Sequence, residues 1–135
     1  MVASVYGWDN LLYSLAKVSV VMKDGQASFK PDAARIEFGE KRNRIITPRV
    51  RVLKELFESA GIRCVVPEDM ERAIWFKYMC NVSENQSAAV LGISYGAWRV
   101  SGDANFIREA LMREVIAVAR KKGISLTEED MEKQV

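Results

Sequence analysis

One stretch of this chain combines an apolar composition with a regular polar spacing. Lys77, Asn81 and Asn85 recur at intervals of four within residues 71–86. In an α-helix a step of four residues advances only about 40° beyond a full turn, so the three polar side chains form one narrow stripe. The rest of the helix surface is covered by apolar residues: Ile74, Trp75, Phe76, Tyr78, Met79, Cys80 and Val82. This pattern predicts a central, packed helix that carries a polar stripe.

The stripe has an ordinary structural interpretation and a functional one. A lysine stem often lies over apolar surface with its ammonium in water, and asparagine side chains often bond to neighbouring backbone. Burying an ammonium and two carboxamides is nevertheless unfavourable unless each group finds a partner. Because a polar stripe on a central helix more often lines a cleft, we predict that Lys77, Asn81 and Asn85 form a ligand site.

Several segments together resemble a known enzyme family. The resemblance is carried by residues 74–77 (IWFK) with Asn81 and Asn85 after them, by residues 88–92 (AAVLG) and by residues 112–124 (MREVIAVARKKGI). Upstream, Gly25 and residues 36–40 and 53–62 follow in the same family's order. The chain thus resembles the C-terminal part of ketopantoate reductase (2-dehydropantoate 2-reductase), with the tail of its cofactor domain in front.

This resemblance implies an oxidoreductase that transfers a hydride from NADPH to a small-molecule 2-keto acid, in pantothenate and coenzyme A biosynthesis. It implies that Lys77 is the catalytic general acid and that Asn81 and Asn85 bind the substrate. The best register places Tyr95 where the family has a further substrate-contacting asparagine. That difference leaves the identity of the keto acid open.

The chemistry of carbonyl reduction suits these residue types on its own terms. Hydride addition to a ketone leaves an alkoxide that needs a proton or a counter-charge, and a cationic lysine supplies both. The chain has no histidine, so the commonest acid–base residue is absent and Lys77 is the strongest candidate. Asparagine can donate to the oxygens of a hydroxy-keto acid and accept from its hydroxyl.

The sequence lacks a nucleotide-binding loop. Neither Gly-x-Gly-x-x-Gly nor Gly-x-x-x-x-Gly-Lys-Ser/Thr occurs in it. We therefore expect no cofactor-binding residues here, NADPH being bound mainly by a domain absent from this chain. The family's active-site serine and glutamate would also follow residue 135. The chain is predicted to be a fragment of the enzyme that is inactive by itself.

Two other functional interpretations remain open. The first is a non-catalytic helical oligomerisation or binding module derived from the same fold. The second is an octopine-dehydrogenase-like or related hydroxyacid dehydrogenase, although such an enzyme would ordinarily use a histidine.

Composition excludes other classes of function. A net charge of +2 and the absence of a basic stripe with interleaved aromatic residues argue against nucleic acid as a partner. No apolar run approaches the roughly 18–20 residues of a membrane span. Cys64 and Cys80 are the two cysteines and no histidine accompanies them, so we expect no metal site. No secretory signal opens the chain, which predicts a cytoplasmic protein.

The predicted fold class is α+β and mainly α, with a short N-terminal hairpin region before a helical domain. The resemblance likens that domain to the C-terminal domain of 6-phosphogluconate dehydrogenase. Residues 1–47 would hold strands that extend the edge of the missing dinucleotide-binding domain. Residues 48–135 would form the helical substrate and dimerisation domain, truncated at its C-terminus. Exposed strand edges or helix surfaces of this kind predict a homo-oligomer.

Local signals predict the individual elements. Strands are expected within 17–22, 26–30, 35–39 and 62–66, and helices over 48–61, from 68 to about 91, and from Asp103 as N-cap to Gly123. A further helix is expected to begin at Thr127, where the capping-box pattern repeats. The predicted buried face of the long helix comprises Phe106, Ile107, Ala110, Leu111, Glu114, Val115, Val118 and Ala119.

Three residues have competing interpretations. Glu114 could pair with Lys77 or Arg99 at the site, or could be an interface glutamate held by a nearby arginine. Trp75 and Trp98 are interpreted as core or interface anchors rather than as platforms for a cofactor.

Overall fold

The computed structural model describes residues 2–134, which form two compact units. The first unit ends at Glu71 and the second begins at Arg72. Among residues 2–134, short strands occur only in the first unit and helices dominate the second, which confirms the predicted mainly helical α+β class. The predicted domain boundary between residues 47 and 48 stays a prediction. The two compact units of this chain do not show where a domain of a longer enzyme would end.

The elements follow in this order along the chain: α1 (Val2–Tyr6), β1 (Tyr13–Lys17), β2 (Val20–Lys23), β3 (Gln26–Phe29), β4 (Arg35–Gly39), α2 (Pro48–Ser59), β5 (Cys64–Val65), α3 (Met70–Cys80), a π-helical turn (Asn81–Gln86), α4 (Ser87–Leu91), α5 (Ala97–Val100), α6 (Gly102–Lys121) and α7 (Glu129–Glu132). Two short 3₁₀ turns cover Trp8–Asn10 and Pro31–Ala33.

The first unit contains two small sheets. Strands β2 and β3 form the predicted hairpin, and Asp24 and Gly25 in its turn both have positive φ, 50° and 75°. This turn geometry matches the twist of the paired strands. Strand β4 lies between β1, to which it is antiparallel, and β5, to which it is parallel. The predicted third strand, β4, therefore pairs with β5, which was also predicted, and with β1, which sequence analysis did not predict.

Strand β4 supplies the core of the first unit. Phe38 is buried and packs edge-to-face against Phe57 of α2, with ring centroids 5.2 Å apart. Glu37, also buried, accepts a hydrogen bond from Arg35 at 2.9 Å and pairs with Lys17 at 2.8 Å. Desolvation by burial raises the pKa of the Glu37 carboxyl, but Lys17 and Arg35 outweigh it and hold the pKa below its ordinary value.

Helices α3 and α4 are joined without a break by the π-helical turn, whereas the sequence predicted one uniform α-helix. The Ser83 hydroxyl donates to the Met79 carbonyl at 2.8 Å, and the Ser87 hydroxyl donates to the Ser83 carbonyl. A buried hydroxyl that bonds back to a carbonyl four residues earlier competes with the regular helical pattern. These two serines therefore account for the wider turn. The helix ends where predicted, at Gly92 with φ 65°.

Helix α6 packs against this segment through a different face from the predicted one. Phe106 is 70% exposed and Val118 is 49% exposed, while Val115 and Ala119 are buried as predicted. The buried face comprises Ala104, Arg108, Met112, Val115, Ile116 and Ala119. Apolar residues occur on both sides of α6, so periodicity alone did not select the buried side. The N-cap is also corrected: the Ser101 hydroxyl, not Asp103, accepts from the Ala104 N–H, at 3.2 Å.

The start of α3 is attached to the end of the chain by a buried carboxylate. Asp130, only 1% exposed, pairs with Arg72 at 2.5 Å and accepts from the Thr127 N–H at 3.0 Å. Arg72 also donates to the Ser125 carbonyl at 3.1 Å. Burial raises the pKa of the Asp130 carboxyl, but the Thr127 N–H and the Arg72 guanidinium lower it more, and the net pKa lies below its ordinary value.

The depressed pKa of Asp130 predicts a pH-dependent contribution to stability. The contribution is fully present above the unfolded-state pKa, about 3.9, and is lost as the pH falls through the folded-state pKa. At pH 7, Asp130→Asn should lower the free energy of unfolding by about 2 kcal/mol, since it weakens charge-assisted hydrogen bonds. Urea unfolding at pH 7 and at pH 3 measures this, with Glu129→Gln in the same helix as the exposed control. A deficit that is equally large at both pH values would contradict the assignment.

Candidate functional site

The predicted stripe begins in α3 and ends in the π-helical turn. Lys77 and Asn81 are half-buried and Asn85 is exposed. The structure brings the two asparagines into direct contact, because the Asn85 Nδ2 donates to the Asn81 Oδ1 at 3.0 Å. Among the ion pairs of residues 2–134, none involves Lys77. The Lys77 ammonium is therefore not neutralised by a carboxylate of the described chain.

The wider turn improves the alignment of the stripe. In an α-helix four residues overshoot one full turn, so Asn81 is displaced to one side of Lys77. In a π-helix, whose hydrogen bonds span five residues, four residues fall short of a full turn, and Asn85 is displaced the opposite way from Asn81. The two displacements partly cancel. The π-helical turn thus favours a straighter Lys77–Asn81–Asn85 stripe than the predicted uniform helix would.

A buried charge pair lies beside the stripe and was missed by sequence analysis. Glu84, 6% exposed, and Arg108, 5% exposed, approach at 3.4 Å between Oε1 and Nη1. The Gln134 amide donates to the other oxygen of Glu84 at 3.1 Å. One signal was available in the sequence: Arg108 stands four residues from both Ala104 and Met112, on one face of the helix.

The charge pair borders a polar cavity of about 670 Å³ in the second unit. Its lining residues are Glu84, Tyr95, Gly96, Trp98, Arg99, Asn105, Arg108 and Gln134. Burial raises the pKa of the Tyr95 hydroxyl, and the negative charge of Glu84 adds to this effect. Tyr95, which was aligned with a substrate-contacting position, therefore faces this cavity, and no residue of the stripe lines it. Trp98 is a buried anchor that packs with Ala88 and Ala104.

A second cavity, of about 580 Å³, is mainly apolar and lies between α3 and α6. Trp75 and Glu114 both line it. Glu114 is exposed, and in the described part of the chain it forms no ion pair with Lys77, with Arg99 or with any other arginine. Neither predicted interpretation of Glu114 is therefore supported by a contact.

The fold of this chain is that of reductase enzymes. It superposes on the crystal structure of 2-dehydropantoate 2-reductase from Geobacter metallireducens GS-15 with a TM-score of 0.76 and 26% identity, over 93% of this chain and 41% of that one. It also superposes on the crystal structure of 2-dehydropantoate 2-reductase from Methylococcus capsulatus with a TM-score of 0.74 and 25% identity, over 98% of this chain and 42% of that one. Within residues 2–134, no helix is both long and apolar enough to cross a membrane.

The sequence comparisons point to the same family. A curated 2-dehydropantoate 2-reductase from Halobacterium salinarum is 27% identical over 85 residues, which is 63% of this chain and 28% of that protein. Residues 69–135 match the family described as ketopantoate reductase PanE/ApbA C terminal. The family model, the curated relative and the solved structures all indicate the C-terminal region of the ketopantoate reductase family. The chain spans less than half the length of these relatives.

The buried charge pair predicts opposite effects for single and double substitutions. Glu84→Gln leaves the buried Arg108 guanidinium without its counter-charge and should lower the free energy of unfolding by about 3–5 kcal/mol. Replacing both residues, Glu84→Leu with Arg108→Met, removes the unpaired charge and should restore stability to within about 1 kcal/mol of the original, or above it. Urea unfolding measures both. A double variant that is as unstable as the single one would show that the pair is not the dominant interaction.

Proposed function

We propose that this chain is the substrate-domain part of an NADPH-dependent, ketopantoate reductase-like oxidoreductase. The enzyme would reduce a small 2-keto acid to the hydroxy acid, in the cytoplasmic route to pantothenate and coenzyme A. The observation that carries the proposal is the stripe: an ammonium that has no carboxylate partner among residues 2–134, in line with two amides that contact each other. Family membership and the chemistry of carbonyl reduction support the assignment.

Each stripe residue has a specific role in this proposal. The Lys77 ammonium holds a proton beside the substrate's keto oxygen and delivers it as negative charge develops there. The amides of Asn81 and Asn85 orient the substrate, because each can donate to a carboxylate or keto oxygen and accept from a hydroxyl. Their mutual hydrogen bond fixes one amide against the other before the substrate arrives.

The described residues do not fit a nucleotide. A dinucleotide phosphate site needs an open, glycine-rich turn between a strand and a helix, and the turn from β4 to α2 is filled. A Cβ at Gly39 would lie 2.5 Å from the Asn43 amide. The Glu40 carboxylate already accepts from the Thr47 hydroxyl at 2.9 Å and from Arg49, at the N-terminus of α2. A carboxylate thus stands where a phosphate would bind. NADPH, the source of the hydride, is proposed to bind to residues outside this chain.

Substitution of Lys77 tests the proposed acid. In the full product of the gene that encodes this chain, Lys77→Met should lower kcat for ketopantoate-dependent NADPH oxidation by about 10²–10⁴-fold. Stability should be equal or higher, because a half-buried charge is removed. Lys121→Met, which removes an exposed charge from α6, is the matched control and should retain activity.

The same assay separates the proposal from its alternative. One outcome is that the unsubstituted gene product fails to oxidise NADPH with every 2-keto acid tested, while Lys77→Met only raises the free energy of unfolding. In that case the non-catalytic binding module is the better description. If it acts on a different 2-keto acid and Lys77→Met abolishes that activity, the general-acid assignment stands and the substrate is corrected.

The poor fit to a nucleotide makes a second prediction. In isothermal titration calorimetry, residues 1–135 alone should give no heat of binding with NADPH at concentrations up to about 1 mM, where only weak non-specific binding is expected. They should also not turn over ketopantoate. Micromolar affinity for NADPH would refute the proposed division of labour between this chain and a separate cofactor domain.

We also propose that copies of the chain associate through exposed strand or helix surfaces. The β2–β3 hairpin exposes Val20, Val21, Met22 and Phe29, which are 45–66% accessible. Two paired strands with free edges offer unpaired backbone groups as well as apolar area to another chain. A homo-oligomer is therefore the assembly that this surface supports.

A further inference from the structure

The turn of the β2–β3 hairpin contains the one Asp-Gly pair in this sequence. No Asn-Gly pair occurs, and the other aspartates are followed by asparagine, alanine or methionine. Asp24 and Gly25 are both exposed, with φ of 50° and 75°. Among residues 2–134, Asp24 is the single non-glycine residue with positive φ. That conformation is unfavourable for a residue that carries a Cβ, so Asp24 is held in it by the turn.

An aspartate followed by glycine can react with its own backbone. The glycine amide nitrogen attacks the carbon of the protonated side-chain carboxyl and forms a C–N bond, while the amide hydrogen and the carboxyl hydroxyl leave as water. Water then opens the resulting succinimide ring at either carbonyl, which restores aspartate or gives isoaspartate. One water leaves and one enters, so isoaspartate has the same mass and no other reactant is needed. Glycine favours the attack because no side chain shields its nitrogen.

The structure leaves both reacting groups unrestrained. Within the part of the chain that the structure describes, the Asp24 carboxylate forms no hydrogen bond or ion pair. The Gly25 N–H lies outside the strand ladder, because the last paired residues are Lys23 and Gln26. A Cβ built at Gly25 would meet no atom within 4 Å. Neither packing nor bonding therefore protects the carboxyl or the amide.

The hairpin also opens easily. Ring closure requires rotation about the Asp24 Cα–C bond out of the turn conformation, so the turn must open first. Strands β2 and β3 have four residues each, all exposed, and they form a sheet of their own. An isolated two-stranded hairpin is marginally stable in water, and exposed segments of this kind open locally at little cost in free energy. The conformation that reacts is therefore accessible in the folded chain.

We propose that Asp24 is a site of spontaneous isomerisation to isoaspartate. The product lengthens the backbone by one methylene group, in a loop of two residues whose geometry sets the register of the strands. The pairs Lys23–Gln26 and Met22–Ala27 are then displaced. Isomerisation thus rearranges the exposed apolar surface of the hairpin without changing its mass or charge. This site holds or fails independently of the reductase assignment.

Peptide mapping of the aged chain provides the test. The chain is incubated at pH 5, sampled over weeks, unfolded, and digested with an endoproteinase that cleaves before aspartate but not before isoaspartate. The bond before residue 24 should become progressively resistant, while the bonds before Asp9, Asp32 and Asp103 stay cleavable. Electron-transfer fragmentation of the resistant peptide should locate isoaspartate at residue 24. Incubation at pH 8 should convert less, because the attack requires a protonated carboxyl.

Two variants and a reference peptide relate the reaction to the turn. Asp24→Glu keeps the charge but would need a six-membered ring, which closes more slowly, so no isomer should form at residue 24. Asp32→Glu is the matched control and should leave the reaction at Asp24 unchanged. A synthetic peptide of residues 20–29 gives the rate without the fold. The rate at Asp24 in the folded chain should lie within about tenfold of the peptide's rate, as expected for a marginally stable hairpin.

Two results would overturn the proposal. The first is a rate at Asp24 more than about a hundredfold below that of the peptide, which would show that the hairpin stays closed. The second is isoaspartate in similar amounts at the other aspartates, which would show that the reaction follows unfolding of the whole chain and not the opening of this turn.

Discussion

The arrangement of the second unit depends on the buried contact between Glu84 and Arg108. Each of the two residues is at most 6% exposed, so neither helix can rotate without leaving a charge unpaired in a region of low dielectric. This constraint accounts for the face that α6 presents. Arg108 must point inward, and Ala104, Met112, Val115 and Ala119 share its side of the helix. Phe106 and Val118 are then directed outward although both are apolar.

The same contact orients the proposed catalytic stripe. Successive residues of a helix point in directions roughly 100° apart, so turning Glu84 inward turns Asn85 away from the core. Glu84 is buried and Asn85 is exposed, as this argument requires. The serine hydroxyls that widen the helix at Asn81–Gln86 act in the same place, because they set how far each residue is rotated from its neighbour. A buried charge on one side of the turn and the polar stripe on the other are therefore two results of one local geometry.

Sequence reasoning recovered the features that depend on local chemistry. The hairpin was predicted because Asp24-Gly25 suits its turn, α2 because Pro48 and Gly61 bound it, and the polar stripe because side chains four residues apart share a helix face. The features it missed depend on residues that are distant in sequence. Glu84 and Arg108 are 24 positions apart in the sequence. The N-cap of α6 is Ser101 rather than the predicted Asp103, because both residue types are good N-caps and propensity does not distinguish two positions so close together. The π-helical turn was missed because an analysis at 3.6 residues per turn assumes a constant period.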